Sequence, residues 1–122
     1  AVEQDRPTHI FIRKFLTILD CGQVCVVPAS EGDGVLPSGC LGYEDEEYYY
    51  LFFESTQRAV KKFCDDQGEG FTISTKALGK ALVDEGFINT DTGENTRTMR
   101  FGSKTKRVIL LRKEMVENVM GI

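Results

Sequence analysis

A short helix with clear signals at both ends, followed at once by a basic hairpin, constrains the fold of this chain more than any other feature. Ser74 can accept a hydrogen bond from the first helical turn, and Gly86 stands where a left-handed residue closes a helix, so we predict a helix over residues 74–85. Residues 96–101 then alternate apolar and polar side chains, and a turn at 102–105 leads into a second strand at 106–112. A helix and a two-stranded hairpin therefore follow each other in the sequence.

A further amphipathic helix precedes this unit. From Glu54 the apolar residues recur at helical spacing until Gly68 ends the pattern. Two helices followed by a hairpin is the element order of a winged-helix module, so we predict an α+β fold, a winged-helix domain with an N-terminal helix-and-strand extension. The length of 122 residues suits one domain, with the extension at 1–53, the winged-helix core at 54–113 and a C-terminal tail at 114–122.

The elements of the N-terminal extension are predicted from the same kinds of sequence pattern. Pro7 suits the first turn of a helix, and an apolar stripe follows until Cys21-Gly22 ends it. The remaining elements are a strand at 24–27, an exposed loop at 29–39, a hairpin with arms at 41–43 and 48–53 around the carboxylates of 44–47, and helical turns at 115–120. Because the chain begins at Ala1 and not at Met, we expect it to be part of a longer protein.

The charges differ between the two halves of the chain. Residues 71–113 hold nine Lys or Arg against four Asp or Glu, whereas residues 1–70 hold six against thirteen. A basic region in a chain of net charge -4 suggests a surface that faces a polyanion. The sequence therefore favours a nucleic-acid partner for the C-terminal half.

Eight side chains of this basic half are the candidate nucleic-acid-binding residues. We expect the helix and the hairpin to project toward the same side, so that the helix approaches base edges and the hairpin pairs with duplex phosphates. The candidates are Thr75, Lys76 and Lys80 on the helix, and Arg97, Arg100, Lys104, Lys106 and Arg107 on the hairpin. Two plainer alternatives stay open: the hairpin cations protect a solvated sheet edge, or Gly79 allows tight helix packing and not close approach to DNA.

Four cysteines, Cys21, Cys25, Cys40 and Cys64, could form two disulfides, but a chain of this size with enough apolar residues does not need them. We expect reduced thiols and a cytoplasmic protein. The alternative is a zinc site in which His9 joins Cys21, Cys25 and Cys40, although the gap between the first two cysteines is loose for a zinc knuckle. The chain contains no run of about 18 apolar residues, which is the length needed to cross a bilayer.

Catalysis finds little support in the sequence. The single histidine, His9, lies in the first helical turn, and no acid and base can be paired at a workable spacing. The turn at 102–105 lacks the spacing of a phosphate-binding loop, and the carboxylates of 44–47 lack the ligand pattern of a calcium loop. We therefore predict no enzyme activity, no cofactor and no bound metal.

Aromatic residues are concentrated in the segment from Tyr43 to Phe53. They could stack on nucleic-acid bases, but no Lys or Arg accompanies them, and the neighbouring carboxylates oppose a phosphate backbone. We expect them to pack in the core or in an interface.

Several stretches together resemble one family. They are the helix at 11–19 with Cys21-Gly22, then Leu41-Gly42-Tyr43, residues 48–53 leading into the Glu54 helix, Ser74-Thr75-Lys76-Ala77-Leu78, residues 82–88, and the strand Arg107-Val108-Ile109-Leu110. Across most of the chain this order is similar to the C-terminal winged-helix regions of helicase and primase-like proteins of bacterial mobile elements and phages. The resemblance implies a cytoplasmic bacterial protein in which an ATP-driven motor outside this chain moves along DNA while this domain engages duplex DNA or a partner.

The sequence thus predicts a DNA-binding accessory domain of a replication or mobilisation helicase/primase, which contacts the duplex backbone through a recognition helix and a basic wing. The alternative is a protein-interaction winged helix that docks a subunit or partner, such as the ATPase module of the same parent chain. That docking would use residues 48–53 and the acidic turn. Neither role involves a membrane.

Overall fold

The computed structural model describes residues 6–31, 39–68, 70–71, 73–89, 96–101 and 104–120. These residues form four helices and a five-stranded sheet, so the predicted α+β class is confirmed. The elements are α1 (Pro7–Asp20), β1 (Cys25–Pro28), β2 (Cys40–Glu44), β3 (Tyr48–Leu51), α2 (Phe53–Asp66), α3 (Thr75–Asp84), β4 (Arg97–Phe101), β5 (Lys104–Arg112) and α4 (Lys113–Met120), with a 3-10 turn, Ala29–Glu31, after β1.

The sheet has the strand order β1-β2-β3-β5-β4, in which only the β1 and β2 pair is parallel. The long strand β5 pairs with β4 through residues 104–108 and with β3 through residues 109–112. Ile88 forms a bridge to Leu111 on the side of β5 that β4 also occupies. The chain that leaves α3 therefore runs beside β5 before it reaches β4.

One face of the sheet is covered by the helices. Ile109 and Leu111 of β5 and Leu51 of β3 belong to this main core, together with apolar side chains from all four helices. The helix α1 contributes its whole inner stripe, Phe11, Ile12, Phe15 and Ile18, each no more than 1% exposed. Burial of a large apolar side chain stabilises a fold by about 1.5–3 kcal/mol, so this stripe anchors the helical layer.

The other face of the sheet carries a second apolar cluster that is mostly aromatic. The rings of Tyr43 on β2 and Phe101 on β4 stack with centroids 4.0 Å apart, and Phe101 meets Tyr50 edge-on at 5.8 Å. In a flat sheet β2 and β4 would be about 14 Å apart, because neighbouring strands are about 4.8 Å apart. The sheet must therefore curl, so that the β4-β5 hairpin lies over the aromatic face.

Most of the predicted elements are confirmed, with shifts at their ends. Phe53 starts α2 and does not end a strand, and its side chain is only 6% exposed. The second hairpin arm begins at Lys104, two residues earlier than predicted, because Lys104 pairs with Phe101. Of the predicted loop at 29–39, residues 29–31 form the 3-10 turn, and residues 32–38 lie outside the described residues.

The prediction of reduced thiols is wrong for two of the four cysteines. Cys25 and Cys40 form a disulfide, because the β1-β2 register places them opposite each other with their Cα atoms 4.4 Å apart. This bond also removes two of the four ligands of the alternative zinc site. Cys21 is exposed and Cys64 is buried, and both lie outside this disulfide.

Within the part of the chain that the structure describes, no helix has the length and apolar character needed to traverse a bilayer.

We predict that replacing both Cys25 and Cys40 by Ser lowers the free energy of unfolding by about 3 kcal/mol. The bond joins residues 15 positions apart, and a crosslink that closes a loop of this length restricts the unfolded chain by about that amount. Urea denaturation with and without dithiothreitol measures the effect. The wild type should lose a similar amount on reduction and the double variant nothing, while Cys21→Ser should behave as the wild type; a wild type insensitive to reductant contradicts the prediction.

Gly42 gives a second prediction, because it lies against the backbone of β3. A Cβ atom at Gly42 would collide with the carbonyl oxygen of Tyr50 and lie 2.9 Å from the Cα atom of Leu51. Gly42→Ala should therefore destabilise the fold by about 1–3 kcal/mol or more in a thermal or urea melt. Gly70→Ala is the control, since a Cβ there meets nothing within 4 Å, and it should change stability by less than about 0.5 kcal/mol. Equal effects would contradict the close approach of β2 and β3.

Candidate nucleic-acid interface

The helix α3 is held at its start by the predicted cap. The Ser74 hydroxyl accepts a hydrogen bond from the Ala77 amide at 3.1 Å, and the Ser74 carbonyl accepts one from the Leu78 amide at 2.9 Å. Lys76 and Lys80 are exposed on one face of the helix, and Thr75 is half-buried. The three helical candidates thus lie in the first turns of a well-capped helix.

The end of α3 also has the predicted form. Gly86 has φ +84°, its amide donates to Val83 O at 3.1 Å, and the Phe87 amide donates to Leu82 O at 2.9 Å. This pair of bonds satisfies carbonyls that the last helical turn leaves open. Because Arg112 N donates to Phe87 O at 2.8 Å, the same turn fixes the helix to β5.

Gly79 supports packing and not approach to a ligand. It is buried with Leu78 and Leu82 on the inner face of α3, which packs against α1 and α2. Of the two interpretations of this glycine, tight helix packing is therefore confirmed.

The five hairpin cations are divided between the two faces of the hairpin. Directly paired residues share a face, and side chains alternate along each strand. Arg100 pairs with Thr105 and Arg107 with Thr98, and this face of β5 continues into Ile109 and Leu111, which pack against the helices. Arg100 and Arg107 therefore lie on the helical side of the sheet.

The other three hairpin cations lie on the aromatic side. Arg97 pairs with Val108, Lys106 with Met99 and Lys104 with Phe101. Those three apolar partners all belong to or pack on the second cluster. The expectation that the whole hairpin projects to one side with α3 is thus wrong for Arg97, Lys104 and Lys106, because strand alternation places them on the opposite face of the sheet from Arg100 and Arg107.

Arg107 is oriented by a local contact: its Nε atom donates to Thr96 Oγ1 at 2.6 Å. The carboxylates nearest to the hairpin in sequence, Asp91 and Glu94, lie outside the described residues.

Two cations outside the eight candidates lie beside α3. Arg58 and Lys61 on α2 are exposed and line a groove of about 530 Å³ that ends at Ser74 and Thr75. Helical spacing places Glu54, Arg58 and Lys61 on one face of α2, and this much can be predicted from the sequence. The groove itself cannot be predicted in this way, because its opposite wall belongs to another helix.

The acidic hairpin turn between β2 and β3 is ordered by its own side chains. Asp45 accepts hydrogen bonds from the amides of Glu47 and Tyr48, both at 2.8 Å, and from the Tyr50 hydroxyl. Lys113 lies 4.8 Å above the Tyr49 ring and forms an ion pair of 2.7 Å with Glu44. A groove of about 360 Å³ beside this turn is lined mainly by the carboxylates Glu46, Glu47, Glu114 and Glu117, with Tyr48, Arg112 and Lys113.

These contacts change how the turn titrates. Burial alone would raise the pKa of Asp45, but the hydrogen bonds from Tyr50, Tyr48 and Glu47 together with the charge of Lys113 bring that pKa below its usual value. Burial and the bond to Asp45 raise the pKa of Tyr50. Tyr50 is therefore a neutral phenol at physiological pH, which is the state that can donate to the carboxylate.

His9 packs edge-on against Phe87 at a centroid distance of 6.0 Å. Among the residues described by the structure, no three His, Cys, Asp or Glu side chains come together in a way that could hold a metal ion.

No protein-family model, curated protein or solved structure matches this chain.

The lowered pKa of Asp45 leads to a prediction about how the stability of the fold depends on pH. A carboxyl whose pKa is lower in the folded state than in the unfolded state stabilises the fold above its unfolded pKa of about 3.9, and this contribution is lost as the pH falls through the folded pKa. Asp45→Asn should therefore lower the free energy of unfolding at pH 7, and the difference from the wild type should shrink below about pH 4. Urea melts between about pH 2.5 and pH 7 measure it, with Glu46→Gln as the control for general surface charge. A difference that stays constant over this range would contradict the prediction.

Proposed function

We propose that this chain is a DNA-binding accessory domain of a replication or mobilisation helicase/primase, with a winged-helix fold. The fold proposal is supported by the element order β3-α2-α3-β4-β5 together with the sheet order β3-β5-β4, in which a helix is followed by a hairpin that returns to the same sheet. The link to a helicase or primase is supported by the sequence resemblance alone. No catalytic step is part of the proposal.

The observation that carries the DNA-binding proposal is the presence of four exposed cations on the helix α3 and on the helical side of the hairpin. Lys76 and Lys80 are exposed on α3, and Arg100 and Arg107 are exposed on the helix-facing side of the hairpin. In this arrangement α3 approaches base edges with its first turn, where Thr75 lies, while Lys76, Lys80 and the two arginines pair with phosphates. Arginine suits this role because its planar donors match phosphate oxygens.

The salt dependence of duplex binding tests the proposal. Four cation–phosphate contacts predict that affinity for a fluorescein-labelled 20-base-pair duplex falls about 100-fold between about 50 and 200 mM salt. In the variant Arg100→Gln, Arg107→Gln the fall should be only about tenfold, because each lost contact reduces the salt slope by about 1. Fluorescence anisotropy at four salt concentrations gives both slopes.

The hairpin supplies a matched control. Lys104→Gln, Lys106→Gln removes the same charge from the same hairpin, but from the aromatic side. This variant should keep the wild-type slope. Equal losses in the two double variants would reject contact by the helical side, and affinity that does not change with salt would reject DNA-backbone binding altogether.

Partner docking is the second candidate function, and the acidic groove beside the β2-β3 turn favours it. Glu46 and Glu47 are exposed there, next to the half-buried Tyr48. Half of the segment 48–53 is internal, since Tyr50, Leu51 and Phe53 are at most 8% exposed, and the other three residues are half-buried. Docking to the ATPase module of a parent chain would therefore depend on the acidic turn more than on the aromatic strand.

The proposed role also implies a cellular compartment for the protein. A domain that serves a bacterial replication motor works in the cytoplasm, where thiol reductants disfavour disulfides. The Cys25–Cys40 bond joins β1 to β2, and neither strand carries any residue of the proposed DNA-binding surface. Reduction should thus affect stability without removing the cations on which DNA binding depends.

A further inference from the structure

The Cys25–Cys40 disulfide lies at one edge of the sheet. Cys25 is the first residue of β1, and β1 is a terminal strand in the order β1-β2-β3-β5-β4. Cys40 is the first residue of β2 and stands directly opposite, so the bond joins the edge strand to the strand beside it. The disulfide therefore has an outer side, at Cys25, and an inner side, at Cys40.

The two halves of this disulfide differ in their access to solvent. Cys25 is exposed, and residues 21–23 shortly before it are exposed as well. Cys40 is half-buried. Next to it Leu41 is buried, and the Leu41 carbonyl accepts a hydrogen bond from the Phe52 amide at 2.9 Å, so the chain after β3 occupies the inner side of β2. A dissolved thiol can thus reach Cys25 more easily than Cys40.

Thiol–disulfide exchange is sensitive to this difference. An attacking thiolate approaches one sulfur atom from the side opposite to the sulfur that leaves, and the rate depends on which of the two sulfurs is accessible. Because the bond runs between neighbouring strands, the approach to Cys25 comes from the open edge of the sheet, whereas the approach to Cys40 comes from the side of β3. The position of the bond in the sheet therefore favours attack at Cys25.

We propose that Cys25 is a site of reversible S-thiolation, at which a low-molecular-weight thiol such as glutathione forms a mixed disulfide. The thiolate sulfur bonds to Cys25 Sγ while the Cys25–Cys40 bond breaks, and Cys40 Sγ leaves with the electron pair and takes a proton from water. A second thiol molecule then displaces the Cys25 thiolate. Two thiols are thereby oxidised to one disulfide while the protein disulfide is reduced to two thiols.

Peptide mapping of the trapped mixed disulfide tests the site. The variant Cys21→Ser keeps the disulfide and removes the other exposed cysteine. It is mixed with excess glutathione under native conditions, quenched with acid at early times, and its thiols are labelled with N-ethylmaleimide. Cleavage after glutamate separates Cys25 from Cys40, because Glu31 lies between them. We expect glutathione on the Cys25 peptide and maleimide on the Cys40 peptide, favoured at least about tenfold over the reverse pattern.

The same reaction in concentrated urea is the control. In the unfolded chain both sulfurs are accessible, so the adduct should be divided between the two peptides. In the folded protein the rate should rise in proportion to the glutathione concentration, as direct attack on an accessible bond requires.

The proposal is overturned if the folded protein carries the adduct equally on both peptides or mainly on Cys40, or if urea leaves the distribution unchanged. A rate that reaches a plateau set by unfolding, or a disulfide that reacts only in urea, would also overturn it, because the bond would then be a closed structural crosslink. The site does not depend on the proposed duplex binding, since β1 and β2 carry none of the four cations of that contact.

Discussion

The arrangement of the molecule depends on four consecutive residues of β5, Val108 to Leu111, which are buried on both faces of the sheet. Each is at most 3% exposed. Strand alternation gives Ile109 and Leu111 to the helical core and Val108 and Leu110 to the aromatic cluster, so one short segment belongs to both apolar layers. The strand β5 also lies inside the sheet and not at its edge, with β3 on one side and β4 with Ile88 on the other.

This central strand also explains which features could be predicted from sequence. The ends of α3 are encoded locally, because Ser74 and Gly86 act within a few residues of the groups they satisfy. The β4-β5 hairpin is local in the same sense. The faces to which its cations point depend on which residues of β5 are buried against β2, β3 and the helices, and those contacts come from distant parts of the chain. The sequence therefore predicts that the hairpin is basic. It does not predict that Arg100 and Arg107 lie on one face of the hairpin and the other three cations on the opposite face.

The remaining differences have the same physical origin. The disulfide depends on the parallel register of β1 with β2, which brings together Cys25 and Cys40 across a connection whose course no local pattern specifies. The groove beside α3 depends on Gln57, whose side chain reaches the Ile73 carbonyl 16 residues later in the sequence. Periodicity identified the apolar side of α2 correctly, since Val60 and Cys64 are buried. It gave no information on which polar residues of that helix would face another element.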